Sequence, residues 1–183
     1  MIDVVLLNYK RPDNIKPIVA AFRQQTVKNR ITLIDAGNVG NVAADVDVYI
    51  KLRENFGAWN RYTSCMMLRG EFVYYHDDDM LPGPRVLDNF LKYIDIPFGV
   101  LGQIGRLWEG DNYNTDNVQA KTELISVDCV VRGYFLRPEN LSYLMQCRKK
   151  HTAGSCDDLW LCKSMSVLGG LPTYVVPVPS MNE

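Results

Sequence analysis

Glu71-Phe72-Val73-Tyr74-Tyr75-His76-Asp77-Asp78-Asp79 decides the fold, because a run of strand-forming residues leads straight into three carboxylates. Phe, Val and two Tyr suit a buried, pleated strand, and the run has no polar alternation. A strand of that kind belongs to a parallel sheet covered by helices. If Asp77 to Asp79 continue the extended conformation, Asp77 and Asp79 project to one side and Asp78 to the other. Adjacent carboxylates repel unless a cation lies between them. An oxygen-only pair suits Mg²⁺ or Mn²⁺, held by one or two carboxylates plus substrate phosphates. Open α/β sheets bind ligands beyond the carboxyl ends of their strands, which is where this run lies. The plainer alternative is a solvated turn leading into Pro82-Gly83-Pro84.

Strands and helices alternate on the amino-terminal side. Asp3 to Leu7 is an apolar run of strand length, ended by a turn with Pro12 and with Asp13 as a possible helix cap. Ile15, Ile18, Val19 and Phe22 fall on one helical face, Ile31 to Ile34 reads as a second strand, and Val46 to Ile50 as a third. Ala58 to Arg69 carries apolar residues at helical spacing (Ala58, Tyr62, Cys65, Met66), and Leu87, Phe90, Leu91 and Ile94 mark another helix. The second half predicts strands at 99–101, 124–131 and 173–176, and helices at 139–148 and 158–168. Residues 109–123 are polar and read as a surface loop, more often functional than idle at that length. The alternation predicts a doubly wound α/β sheet that becomes mixed in its second half.

The chain has 183 residues, with 20 Lys+Arg against 21 Asp+Glu, a formal net charge of −1. That length suits one domain, and the balance gives no basic footprint for nucleic acid. No apolar run is long enough to span a bilayer, and the amino terminus has no basic segment followed by a long apolar stretch, so no secretory signal is expected. Five cysteines, none spaced C-x-x-C, agree with a reducing, cytoplasmic setting, and the sequence draws no zinc site of ordinary spacing. Glycine clusters at Gly37–Gly40 and Gly99–Gly105 do not fit a dinucleotide-binding turn, no P-loop or G-x-S-x-G elbow is present, and Leu81 and Pro82 break the calcium-loop pattern begun by Asp77 and Asp79.

Asn55-Phe56-Gly57, then Arg61, then Arg69-Gly70-Glu71 through Asp77-Asp78-Asp79 to Pro82, resembles the nucleotide-sugar domain of GT-A-fold glycosyltransferases. Leu6-Leu7-Asn8-Tyr9-Lys10-Arg11-Pro12 and Leu33-Ile34-Asp35 match the same order, so the resemblance spans nearly the whole chain. It implies a Rossmann-like, mixed, mainly parallel sheet flanked by helices, as one catalytic domain over 1–183 with a donor half at 1–82 and an acceptor half at 83–183. It also implies that Asp77 and Asp79 hold Mn²⁺ or Mg²⁺ bridging the phosphates of a nucleotide-sugar, with Asp78 near the ribose. Asn8, Arg11 and Asp35 would cradle base and ribose, Asn55 would belong to the donor site, and Arg61 would reach the diphosphate or sugar.

A second acidic pair opens a predicted helix at Ser155-Cys156-Asp157-Asp158, where Ser155 with Asp158 also resembles a capping box. In the GT-A pattern such a pair lines the acceptor side. Asp158, with Asp157 as runner-up, would then be the base that takes the proton from an acceptor hydroxyl. Cys-Asp-Asp is also similar to the exostosin carboxyl-terminal domain, whose members retain anomeric configuration, so the stereochemistry stays open. Gly133 would let a sugar approach the backbone, and Tyr134 and Trp160 would stack on an acceptor ring. No histidine follows His151 to serve as a late metal ligand, so the cation leans on two aspartates and the phosphates, or the chain is part of something longer.

The resemblance therefore implies a metal-dependent transferase moving a sugar from a nucleotide-diphospho-sugar, by default UDP-linked, to a glycan or other hydroxyl acceptor. The competing readings are a sugar-phosphate nucleotidyltransferase and a non-catalytic nucleotide-sugar or glycan-binding module.

Overall fold

A computed structural model describes residues 1–37, 45–109, 112–113, 116–147 and 156–178. The chain is a mixed α/β protein whose large sheet is mainly parallel and flanked by helices. It divides into two compact units, with the break after Asp88.

The first unit is built on strand β1 (Ile2–Asn8), all seven of whose residues are buried. β1 lies between β2 (Asn29–Asp35) and β4 (Phe72–Asp77), parallel to both, and β2 pairs in parallel with β3 (Val48–Lys51). Burial on both faces explains the absence of polar alternation in β1, β2 and β4. Parallel neighbours need a crossover, and helix α1 (Pro12–Arg23) supplies the one between β1 and β2. It buries Ile15, Ile18, Val19 and Phe22, the face the spacing predicts. The expected cap does not form: α1 begins at Pro12 behind Arg11, and Asp13 sits inside the first turn, where it meets the helix dipole.

Residues Gly57–Met67 form a 3-10 helix rather than the predicted α-helix. Polar side chains bond back three residues along it, Thr63 Oγ1 to the Asn60 carbonyl at 2.7 Å and Ser64 Oγ to that of Arg61 at 2.9 Å. Three residues per turn change the phase of the buried face. It carries Asn60, Arg61, Tyr62 and Ser64, while Met66, expected inside, is 91% exposed.

Helix α2 (Val86–Leu91) is shorter than predicted, and turns replace its last part, so Ile94 is not helical. In the second unit β5 (Val100–Gly102) pairs antiparallel with β11 (Gly133–Leu136) and parallel with β12 (Thr173–Val175), and β12 pairs antiparallel with β9 (Ile125–Val127). The single strand predicted at 124–131 is two, because β10 (Cys129–Val131) turns away after Asp128 to pair with β6 (Ile104–Arg106). The approach there is close: a Cβ on Gly102 would meet Val130 Cβ at 2.5 Å, so only glycine fits. The segment read as a loop includes the short pair β7 (Trp108–Glu109) and β8 (Asn112–Tyr113). Helices α3 (Leu141–Cys147) and α4 (Asp157–Gly169) complete the unit, and its core holds Phe90 stacked on Phe135 with Leu161, Cys162 and Met165. Among the described residues no helix is long and apolar enough to cross a membrane.

Candidate functional site

Parallel pairing sets the geometry of the first unit's site. Asn8 pairs in register with Asp35, and Leu7 with Asp77, so the row of strand ends of β1, β2 and β4 puts the Asn8 and Asp35 side chains on one face of the sheet and Asp77, level with Leu7, on the other. That row is the carboxyl edge of the parallel strands, where such sheets bind ligands. Asn8 is fully buried and donates from Nδ2 to Asp35 Oδ1 at 2.9 Å. The Gly37 N–H donates to the same oxygen at 3.2 Å, and the Tyr49 hydroxyl to Oδ2 at 2.7 Å. Burial and the neighbouring Asp35 push the Tyr49 hydroxyl up to about 12, so it stays protonated and keeps donating.

The acidic triplet does not continue the strand. β4 ends at Asp77 and the next two residues turn, which gives the three carboxylates different surroundings. Asp77 Oδ1 accepts from Arg61 Nη2 at 2.8 Å, and Arg61 is itself buried in the 3-10 helix with Nε on the Ala58 carbonyl at 3.1 Å. Asp78 is buried and holds the loop between β1 and α1. Its Oδ2 accepts the Tyr9 N–H at 2.6 Å, its Oδ1 accepts Arg11 Nη1 at 2.6 Å, and its carbonyl accepts Asn14 Nδ2 at 2.8 Å. The hydrogen bond to Asp78, then its charge, raises the Arg11 guanidinium further above its ordinary value. Asp79 is half exposed, with Arg11 Nη1 3.9 Å away.

Behind the triplet, His76 is buried with Nε2 2.9 Å from the Met80 carbonyl, and burial lowers its basicity. It supports the turn rather than facing it. Asn55 builds a turn as well. Its Oδ1 accepts from the Gly57 N–H at 2.8 Å and from Asn60 Nδ2 at 2.7 Å, and Gly57 takes φ +69°, a conformation that favours glycine.

Among the described residues no group of three or more His, Cys, Asp or Glu side chains converges as a metal cage. The chemistry of the donor set nevertheless fits Mg²⁺ or Mn²⁺. Asp79 is solvent-accessible, Asp77 engages Arg61 through one oxygen, and such ions are commonly held by two carboxylates and phosphates.

The second unit holds the other predicted residues. Asp157 is buried at the start of α4, whereas Asp158 is half-buried with Oδ1 accepting the Leu159 N–H at 2.8 Å. Cys156, with φ +63°, precedes the helix and gives it no side-chain cap; the expected partner Ser155, like His151, lies outside the described residues. Gly133 and Tyr134 are buried in β11, and Trp160 is half-buried in the first turn of α4.

Sequence reasoning missed Tyr49, Asn14, Asn60 and the Tyr9 N–H. Tyr49 was legible only as a strand residue, because its bond to Asp35 depends on the register Leu33↔Tyr49 and Asp35↔Lys51 between β2 and β3.

No protein-family model and no curated protein sequence matches the chain. Solved structures do. A mannosyltransferase from Pyrobaculum calidifontis, in complex with GDP-Man and Mn²⁺, superposes with a TM-score of 0.65 at 13% identity over 98% of this chain and 55% of that one. TarS residues 1–349 from S. aureus, in complex with UDP-GlcNAc, does so with a TM-score of 0.59 at 14% identity over 89% and 52%. A nucleotidyl transferase from Methanothermobacter gives 0.63 at 13% identity over 98% and 88%. The chain thus spans about half the length of the first two proteins and most of the third. At such identities the likeness shows the fold: this chain has the architecture shared by the mannosyltransferase and the nucleotidyl transferase.

Proposed function

We propose that the chain is a divalent-metal-dependent glycosyltransferase using a nucleotide-diphospho-sugar, UDP-linked by default, with a glycan or other hydroxyl compound as acceptor. One observation carries the reading: the carboxyl edge of β1, β2 and β4 gathers Asp35, Asp77 and Asp79 with two arginines, Arg11 on Asp78 and Arg61 on Asp77. The GDP-Man and Mn²⁺ complex of the mannosyltransferase and the UDP-GlcNAc complex of TarS support it by analogy of fold.

In this reading Asp35, fully buried and bonded to Asn8, Gly37 and Tyr49, fixes the end of β2 against which the base or ribose packs. Asp78 acts at one remove, since its carboxylate is occupied in fixing the loop that carries Arg11. Arg61 offers a planar fork to the diphosphate from beside Asp77. Asp77 and Asp79 would hold Mn²⁺ or Mg²⁺, which supplies stabilisation of the charge that develops on the departing diphosphate. On the second unit Asp158 is the base for an inverting transfer, taking the acceptor's hydroxyl proton as oxygen attacks the anomeric carbon. Asp157 is the weaker choice because it is buried. The location is taken as cytoplasmic, in keeping with five free cysteines and no disulfide among the described residues.

The chain spans 88% of the nucleotidyl transferase, and that match favours a second reading as a sugar-phosphate nucleotidyltransferase. Against it, the loop Asn8–Asp13 has no glycine, and the Tyr9 N–H within it is given to Asp78 rather than left for a triphosphate. Thermal shift with UDP, GDP and CDP, each with and without Mn²⁺, followed by assay of donor hydrolysis, separates the possibilities. Metal-dependent stabilisation by one nucleoside diphosphate, with slow hydrolysis of its sugar conjugate, is expected. Release of pyrophosphate from a nucleoside triphosphate and a sugar phosphate supports the second reading, and binding without any turnover points to a non-catalytic module.

A further inference from the structure

The second unit carries a surface trough that none of the donor residues touches. Its first part is a cavity of about 270 Å³ lined by Trp108, Asp128, Leu159, Trp160 and Lys163. A second cavity of about 220 Å³ shares Asp128 and Lys163 and adds Ser126, Ser166 and Thr173 together with the apolar Leu107, Val127 and Pro172. Trp160, Lys163 and Ser166 recur at three-residue spacing, so both cavities lie along one side of α4. From Leu159 to Ser166 that side runs about 10 Å, the length of two linked sugar rings. Each cavity lies just below the roughly 300 Å³ at which small-molecule sites begin, room for one ring apiece.

We propose that this trough binds an unbranched saccharide, one ring against Trp108 and Trp160 and the next over Asp128, Lys163 and the hydroxyl groups. The chemistry points to a sugar because the two cavities differ in kind. Two indoles and Leu159 offer apolar surface to the C–H face of a pyranose. Beyond them a carboxylate, an ammonium and the exposed hydroxyls of Ser126 and Ser166 offer both acceptors and donors to sugar hydroxyls. A wholly apolar ligand would strip water from Asp128 and Lys163 without replacing it, and a phosphate would meet the Asp128 carboxylate. The platform is also held in place: Asp128 Oδ2 accepts the backbone N–H of Trp108 at 2.7 Å, and the backbone N–H of Asp128 donates to the Arg106 carbonyl at 3.0 Å. Asp128 thus anchors one wall while lining both cavities. That the bound chain is the acceptor, extending from the end of α4 that carries Asp158, rests on the glycosyltransferase reading; that the trough binds a saccharide does not.

The protein has three tryptophans, and only Trp59 lies outside the trough and in the first unit, so the indole N–H signals of an NMR spectrum contain their own control. The full chain is titrated, without nucleotide or metal, with maltose, cellobiose, mannobiose, chitobiose and lactose. At least one disaccharide is expected to shift the Trp108 and Trp160 signals and leave Trp59 in place. Its affinity should fall about tenfold or more in Trp108→Ala, where the exposed side chain makes misfolding a small risk, and recover in Trp108→Phe. Nucleotide stabilisation with Mn²⁺ should be unchanged in Trp108→Ala. No shift with any of the five sugars, or equal affinity in Trp108→Ala, overturns the proposal. Disaccharide binding in a protein that binds no nucleotide leaves the trough standing and removes the transferase reading, and nucleotide binding without sugar binding does the reverse.

Discussion

Replacing Asp78 by alanine separates a residue that holds a loop from one that touches a ligand. The side chain is only 5% exposed, and both its oxygens are taken by the segment between β1 and α1, at the Tyr9 N–H and at Arg11. The substitution removes both bonds and keeps the one from Asn14, which goes to the Asp78 carbonyl. A hydrogen bond from a backbone N–H to a charged acceptor contributes about 1.5–3 kcal/mol. Tyr9 is exposed, so water reaches its N–H in the variant and the loss falls toward the lower end, about 2 kcal/mol. The Arg11 side chain is half in solvent and adds little to that figure. For a chain of this size about 2 kcal/mol lowers Tm by roughly 4–8 °C, and Asp78→Asn, which keeps one acceptor, should lose about half as much. Loosening the loop also frees Arg11, so nucleotide affinity falls in step with stability. Circular dichroism melts of the ligand-free protein and calorimetric titration of UDP measure the two effects. If Asp78 instead met the ribose directly, Asp78→Ala would weaken UDP binding while the ligand-free Tm stayed within about 1 °C of wild type, and that pattern would refute the assignment.

Asp79→Ala should abolish the Mn²⁺-dependent part of nucleotide stabilisation and leave the metal-free melt unchanged, since Asp79 is half exposed; unchanged metal dependence in thermal shift sinks the metal assignment. Tyrosinate absorbance should show Tyr49 ionising near pH 12. Because its folded value is raised, the stability it contributes is complete below pH 10 and lost as pH climbs toward 12, and Tyr49→Phe removes that contribution. Asp3→Ala should cost about 3–5 kcal/mol in urea unfolding, since the fully buried carboxylate is the acceptor for the Arg69 and Gly70 N–H groups and for Arg30. Turnover persisting in Asp158→Asn removes Asp158 as the base.

The architecture of the first unit was legible because its strands are apolar on both faces and α1 keeps a clean 3.6-residue period. Those signals depend on local pattern alone. Residues 57–67 misled because the apolar spacing there does not report three residues per turn: the buried set is Asn60, Arg61, Tyr62 and Ser64, mostly polar. The break at Asp128 was equally hidden, since β9 and β10 read as one apolar run and diverge only through different partners. At the site, residue types at strand ends were visible, and their partners were not. Asn8 read as a ligand to base or ribose, whereas the fold buries it fully and commits its Nδ2 to Asp35, a bond that rests on the register of β1 with β2.

The triplet shows why charge has to be counted with partners rather than along the chain. Three adjacent aspartates look like an unrelieved repulsion, yet Arg61 answers Asp77 and Arg11 answers Asp78, which leaves the group with about one negative charge, centred on Asp79. A diphosphate arriving alone would add its own negative charge beside that carboxylate, and the two arginines already have partners. A divalent cation held by Asp79 would reverse the balance, and Arg61 could then share its fork between Asp77 and a phosphate oxygen without leaving either bare. In the glycosyltransferase reading, metal dependence would therefore rest on the whole set of five side chains. A pair of carboxylates at i and i+2 is only its visible part, because the same pair in a turn without the arginines would be satisfied by water.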